Sequence, residues 1–111
     1  MQVPLLTPTN PSLFINIISM MKELCEDMTI TFEERGVTFF STDKEIYCIH
    51  LSKENWINYD CRIECTLFEK ASQIYDRITK QIKIMDITTN KQNKKLRVGD
   101  VINSIFVEKC D

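Results

Sequence analysis

Glycine is nearly absent from this chain: Gly36 and Gly99 are the only two in 111 residues. A Gly-rich phosphate loop and a dinucleotide fingerprint each need several glycines in a short span, so both are excluded. Histidine occurs once, as His50, which argues against catalytic triads and histidine-rich metal sites. No apolar run is long enough to span a bilayer, and the N-terminus lacks the basic and apolar blocks of a signal peptide. A soluble intracellular protein is the expectation, with no membrane partner. The five cysteines, Cys25, Cys48, Cys61, Cys65 and Cys110, are odd in number and form no CxxC pair. They do not suit a disulfide framework or a standard zinc site. Cys61 and Cys65 share a face of one strand but lie about 13 Å apart, too far for a bridge. Free thiols, no metal and no cofactor are expected.

What is present is an ordinary globular balance, 43% apolar and 27% charged, and a length that suits one domain spanning residues 1–111. The chain is organised around residues 13–51. Pro11 to Glu26 carries its polar residues at 12, 16, 19, 22, 23 and 26, a spacing of three and four that is the narrow polar stripe of a mostly buried helix. Asn10 suits the N-cap and Pro11 the first helical position. The period then changes to two. Met28, Ile30 and Phe32 alternate with Thr29, Thr31 and Glu33. Gly36 turns the chain, Val37 and Phe39 resume the alternation, Asp43 to Glu45 turns it again, and Ile46 to Leu51 forms a third strand. A helix feeding such a meander must lie on it to bury its apolar side.

The rest reads as follows. Met1 to Leu6 suits an edge strand, and Ser52 to Tyr59 a loop or bulged strand in which Trp56 and Tyr59 either close the core or form a contact surface. Cys61 to Leu67 alternates as a strand. Thr66, with Glu69 three residues on, has the form of a capping box for a second helix through Phe68, Ala71, Ile74, Tyr75 and Ile78. Gln81 to Thr88 and Lys95 to Val98 read as strands around a turn at Asn90 to Asn93. Gly99-Asp100 turns the chain, and Ile102 to Cys110 is the last strand. The fold class expected is α+β, two helices packed on an antiparallel sheet. His50 lies within a strand, where a hydrogen-bonded structural histidine is expected rather than a base or a ligand. The absence of convergent catalytic groups argues against an enzyme.

The net charge of −2 hides an asymmetry. Residues 1–60 hold four basic and nine acidic side chains, and residues 61–111 hold ten and seven. Lys80, Lys83, Lys91, Lys94, Lys95 and Arg97 face Asp86 alone between positions 80 and 97. Such a patch steers polyanions, or else keeps a solvated hairpin from pairing with other chains.

The segment Gly36-Val37-Thr38-Phe39-Phe40-Ser41-Thr42-Asp43, followed by Ile46-Tyr47-Cys48-Ile49-His50-Leu51, resembles the first domain of the sliding clamps of the proliferating cell nuclear antigen family. So does the strand Ile63 to Leu67 leading into the helix that follows. The resemblance covers nearly the whole chain. It implies a single clamp domain whose helices face duplex DNA and whose sheet forms the outer rim, with contact that is electrostatic and blind to sequence. It implies DNA-facing roles for Lys22, Lys70, Arg77 and Lys80; the basic segment adds Lys91, Lys94, Lys95 and Arg97 as a second candidate set. The first helix carries Lys22 against Glu23 and Glu26, and the second carries Lys70, Arg77 and Lys80 against Glu69 and Asp76. Such a field implies only weak DNA retention. The family's interdomain connector would begin near Cys110-Asp111, so a lone domain is expected to self-assemble, most simply as a two-fold dimer, or to join a longer clamp-like or replication protein. Trp56, Tyr59, Ile102, Ile105 and Val107 are the expected interface residues. The function implied is a replication or processivity accessory factor at nuclear or cytoplasmic replication sites. The alternative is a protein-interaction module with the same fold and no DNA role.

Overall fold

The computed structural model describes residues 3, 6–57, 59, 65–88, 97–99 and 101–102, with the backbone alone for 81–88. The first elements among the described residues are a short strand β1 (Thr7–Pro8) and helix α1 (Pro11–Leu24). A three-strand meander follows, made of β2 (Asp27–Glu33), β3 (Gly36–Ser41) and β4 (Tyr47–Ser52). A 3-10 turn (Lys53–Asn55), β5 (Trp56–Ile57), β6 (Cys65–Lys70) and α2 (Ala71–Thr88) follow among the described residues. The larger sheet runs β4-β3-β2-β6, antiparallel throughout, and β1 pairs with β5 in a separate two-stranded sheet. The result is a small α+β domain with two helices packed on antiparallel sheets.

Helix α1 starts as its sequence dictates. The Asn10 side chain accepts from the Leu13 amide at 3.2 Å, and Pro11 occupies the first turn where its missing N–H costs nothing. Phe14, Ile17, Ile18 and Met21 form the buried stripe. Phe14 packs on Phe39 and stands edge-on to Trp56, with ring centroids 5.9 and 5.8 Å apart. On the sheet, Met28, Ile30, Phe32, Val37, Phe39 and Leu67 point into the same core. Gly36 adopts φ +145°, which L residues with a Cβ rarely tolerate, and its backbone lies against that of Leu51 and Ser52.

Three expectations are corrected. The capping box at Thr66 does not form: β6 runs on to Lys70, paired with β2 as far as Asp27↔Lys70, and α2 begins only at Ala71. The β2 ladder satisfies the backbone that a cap at Thr66 would have served. The residues keep alternating, with Leu67 and Glu69 buried and Phe68 and Lys70 exposed. Second, Gln81 to Thr88 is the continuation of α2, not a strand. Its short apolar run fits both periods, since Ile82 and Met85 extend the spacing of Ile74 and Ile78 in sequence. Third, residues 98–99 and 101–102 are helical where a strand, a turn and another strand were expected. Val98, Val101 and Ile102 are buried at helical spacing. The turn at 90–93, most of the last strand and most of the first lie outside the described residues.

Candidate nucleic-acid interface

Helices α1 and α2 pack against each other, and the joint carries a cation. Lys22 Nζ lies 4.4 Å from the centre of the Tyr75 ring, an attraction between helices on top of their apolar contact. Lys80, one turn beyond Asp76, is exposed, and Arg77 is half-buried beside it in sequence. By sequence the two helices hold Lys22, Arg77, Lys80 and Lys83 against Glu23, Asp76 and Asp86, a net of +1.

Lys70 is elsewhere. It stands at the end of β6 on the solvent face of the sheet, where Nζ bonds Asp27 Oδ1 at 2.9 Å. That hydrogen bond and the attraction of the carboxylate hold its pKa above the ordinary lysine value. The four expected helix cations therefore divide: Lys22, Arg77 and Lys80 belong to helices, and Lys70 belongs to the sheet. Lys91, Lys94 and Lys95 lie outside the described residues. Arg97 is exposed, and its carbonyl accepts from the Val101 amide at 3.4 Å.

Of the expected interface residues, Trp56 takes the core alternative. It is buried, packs on Phe14, and donates Nε1–H to the Leu51 carbonyl at 3.4 Å. Tyr59 is half-buried. Its hydroxyl reaches the carbonyls of Glu33 and Gly36, at 2.8 Å for Gly36, which fastens it to the β2–β3 turn. Ile102 is fully buried. Ile105 and Val107 lie outside the described residues.

Two polar clusters were not read from the sequence. Asp43 is a clip: Oδ2 accepts from the amides of Glu26 and Asp27 at 2.8 and 2.9 Å, and Oδ1 accepts from Ser41 Oγ–H at 3.2 Å. Ser41 Oγ is also 2.8 Å from the Asp27 carbonyl. The Asp27 amide bond is the chief reason the Asp43 carboxyl titrates below its ordinary value; the Glu26 amide and Ser41 add to it. The signal was a serine and an aspartate two residues apart at a strand end, a common pattern for such clips. The second cluster lies across the solvent face of the sheet. Thr38 Oγ1 is 3.2 Å from Glu33 Oε1 and 2.9 Å from His50 Nδ1. This makes His50 a hydrogen-bonded cross-strand partner, as expected. His50 also borders an open groove of about 480 Å³ with Glu34, Arg35, Ser52, Lys53 and Glu54. Opposite charges line that groove in equal number, so it favours neither anions nor cations.

Cys25 and Cys48 are free thiols; Cys25 is buried and donates to the Met21 carbonyl, and Cys48 is exposed. Among the described residues, no group of three His, Cys, Asp or Glu side chains is placed to hold a metal ion. No described helix is long and apolar enough to cross a membrane. No protein-family model matches this chain, and no curated protein matches it.

Proposed function

We propose that the chain is a clamp-like accessory module that works as an oligomer and touches duplex DNA weakly, through phosphates, from its helix side. The observation that carries this is the pairing of α1 and α2 on antiparallel sheets with Lys22 and Lys80 exposed on them. That arrangement agrees with the clamp resemblance of residues 36–51. A net of +1 on the helices limits the field, so a few phosphate contacts are all it supports. Retention then falls with salt on a log–log slope of about −2 to −3.

The test compares two charge reversals on duplex DNA at low salt. Lys22→Glu with Arg77→Glu and Lys80→Glu removes the helix cations, and retention is expected to be lost. Lys70→Glu reverses a cation on the sheet's solvent face and is expected to leave retention unchanged. Equal loss from both would place DNA elsewhere, and no retention by the wild type at low salt would end the DNA role. The second reading, a protein-interaction module, draws on one observation. Phe40, Phe68 and Ile46 are exposed large apolar residues, Phe40 and Phe68 on the solvent face of the sheet and Ile46 just before β4. Apolar surface of this kind marks protein contact sites more often than DNA.

A further inference from the structure

The larger sheet has two outer strands among the described residues, β4 and β6, and they differ in how they are protected. Strand β6 carries Glu69 pointing inward and Lys70 at its end. Inward charges and edge lysines are the devices by which sheets refuse further strands. Strand β4, Tyr47-Cys48-Ile49-His50-Leu51-Ser52, has no proline, no glycine and no formally charged residue. Tyr47 and Ile49 lie on its core side yet remain only half-buried, so apolar surface is left at this edge.

The direction of its backbone groups follows from one bond. The Lys53 amide donates to the Arg35 carbonyl at 2.9 Å, in line with the register Gly36↔Ser52, Val37↔Leu51 and Thr38↔His50. Hydrogen-bonded and non-bonded pairs alternate in an antiparallel ladder. Residues 47, 49 and 51 therefore turn their amides and carbonyls toward β3. Cys48, His50 and Ser52 turn theirs outward, toward the edge that no described strand covers.

We infer that β4 pairs with β4 of a second copy of this chain, antiparallel about a two-fold axis at Ile49. Three features select that register. It sets Cys48 opposite His50 of the second copy, so outward-turned backbone groups meet each other. It keeps Tyr47, Ile49 and Leu51 on one continuous face, as the two-residue period requires. It also brings Glu45, just before the strand, toward Lys53 of the second copy, just after it, twice by symmetry. A register shift of two residues toward Ser52 loses this match, and one toward Tyr47 replaces it with Asp43 opposite Lys53, where the Asp43 carboxylate is already held by the Glu26 and Asp27 amides. The two sheets become one of eight strands, and both helix pairs lie on the same side of it. This association does not rest on DNA contact, because no helix cation takes part.

The test is sedimentation of the whole chain without DNA. The wild type dimerises. Glu45→Lys and Lys53→Glu, both at exposed positions, each weaken the dimer about tenfold by turning two attractions into repulsions. Combining them restores it. A chain that stays monomeric at about 1 mM overturns the inference, as does a dimer indifferent to both single changes. Cross-linking checks the register independently. In a Cys48→Ser parent, Ile49→Cys places two thiols across the axis with Cα atoms about 4.5 Å apart, within disulfide reach. Oxidation then yields a covalent dimer beyond the parent's own background. Ser52→Cys, about 20 Å from its symmetry mate in this register, does not. Cross-linking at 52 in place of 49 overturns the register. Loss of DNA retention with the dimer intact would count against the DNA role alone.

Discussion

Replacing Gly36 by alanine adds one methyl group where the fold has no room for it. The backbone at Gly36 holds φ at +145°, and a Cβ there would overlap the Leu51 carbonyl oxygen and lie 2.8 Å from Ser52 Cα. Ordinary contact begins near 3.4 Å, so clearing Ser52 alone would move β4 about 0.6 Å away from Gly36 on β3. Both obstacles are backbone, and a rotamer change cannot relieve them. The φ strain costs about 1–3 kcal/mol, and the overlap costs about 1–3 kcal/mol more. Their sum, about 2–6 kcal/mol, is a large share of the roughly 5–15 kcal/mol that holds a domain folded. For a urea dependence of about 1.5 kcal/mol/M, a 4 kcal/mol loss lowers the unfolding midpoint by about 2–3 M. Unfolding in urea, followed by Trp56 fluorescence, measures it. Thr42→Ala, at an exposed position just after the same strand, is the control and is expected to shift stability by less than about 1 kcal/mol. A Gly36→Ala midpoint within about 0.3 M of the wild type would refute the close approach of β3 to β4.

Trp56→Ala is expected to cost about 3–5 kcal/mol, because it empties the space beside Phe14; calorimetric melting reads it. Tyr59→Phe removes only the hydroxyl and is expected to cost about 1 kcal/mol in urea unfolding. Asp43 gives a pH dependence. Its folded pKa is lowered, so its contribution is present above the ordinary aspartate value and is lost as pH falls through the folded value. Asp43→Asn is expected to flatten the acid limb of the melting temperature between neutral pH and pH about 2; an unchanged acid limb would show that the clip carries no weight.

Residues 10–51 were largely legible because each signal there is local. Asn10-Pro11 starts a helix, the period switches at Met28, and Gly36 and Asp43 mark turns. Beyond Ser52 the decisive forces are not local. Thr66 and Glu69 have a capping box's spacing, but Asp27 to Phe32, more than thirty residues earlier, offers them a strand partner. That pairing keeps residues 66–70 extended and moves Lys70 from a helix to the far face of the sheet. Gln81 to Thr88 is rich in β-branched residues and alternates, yet it extends a helix already begun at Ala71. The candidate site inherited both effects. Lys22 and Lys80 fell where the helical pattern put them, and Lys70 did not. The pairing of Lys22 with Tyr75 had no sequence signal, since it joins residues 53 positions apart.

The Asp43 clip also bears on the order in which the chain comes together. Its carboxylate holds the amides of Glu26 and Asp27 from 17 and 16 residues away, so it cannot close until the β2–β3 hairpin has formed. Once closed, it ties the junction between α1 and β2 to the turn after β3. Those two amides sit at an exposed junction and would ordinarily trade their protons with solvent within moments. Held by Asp43, they are expected to exchange slowly, on the schedule of the hairpin rather than of a loop. Deuterium uptake at residues 26 and 27 thus becomes a clock for the opening of the β2–β3 hairpin.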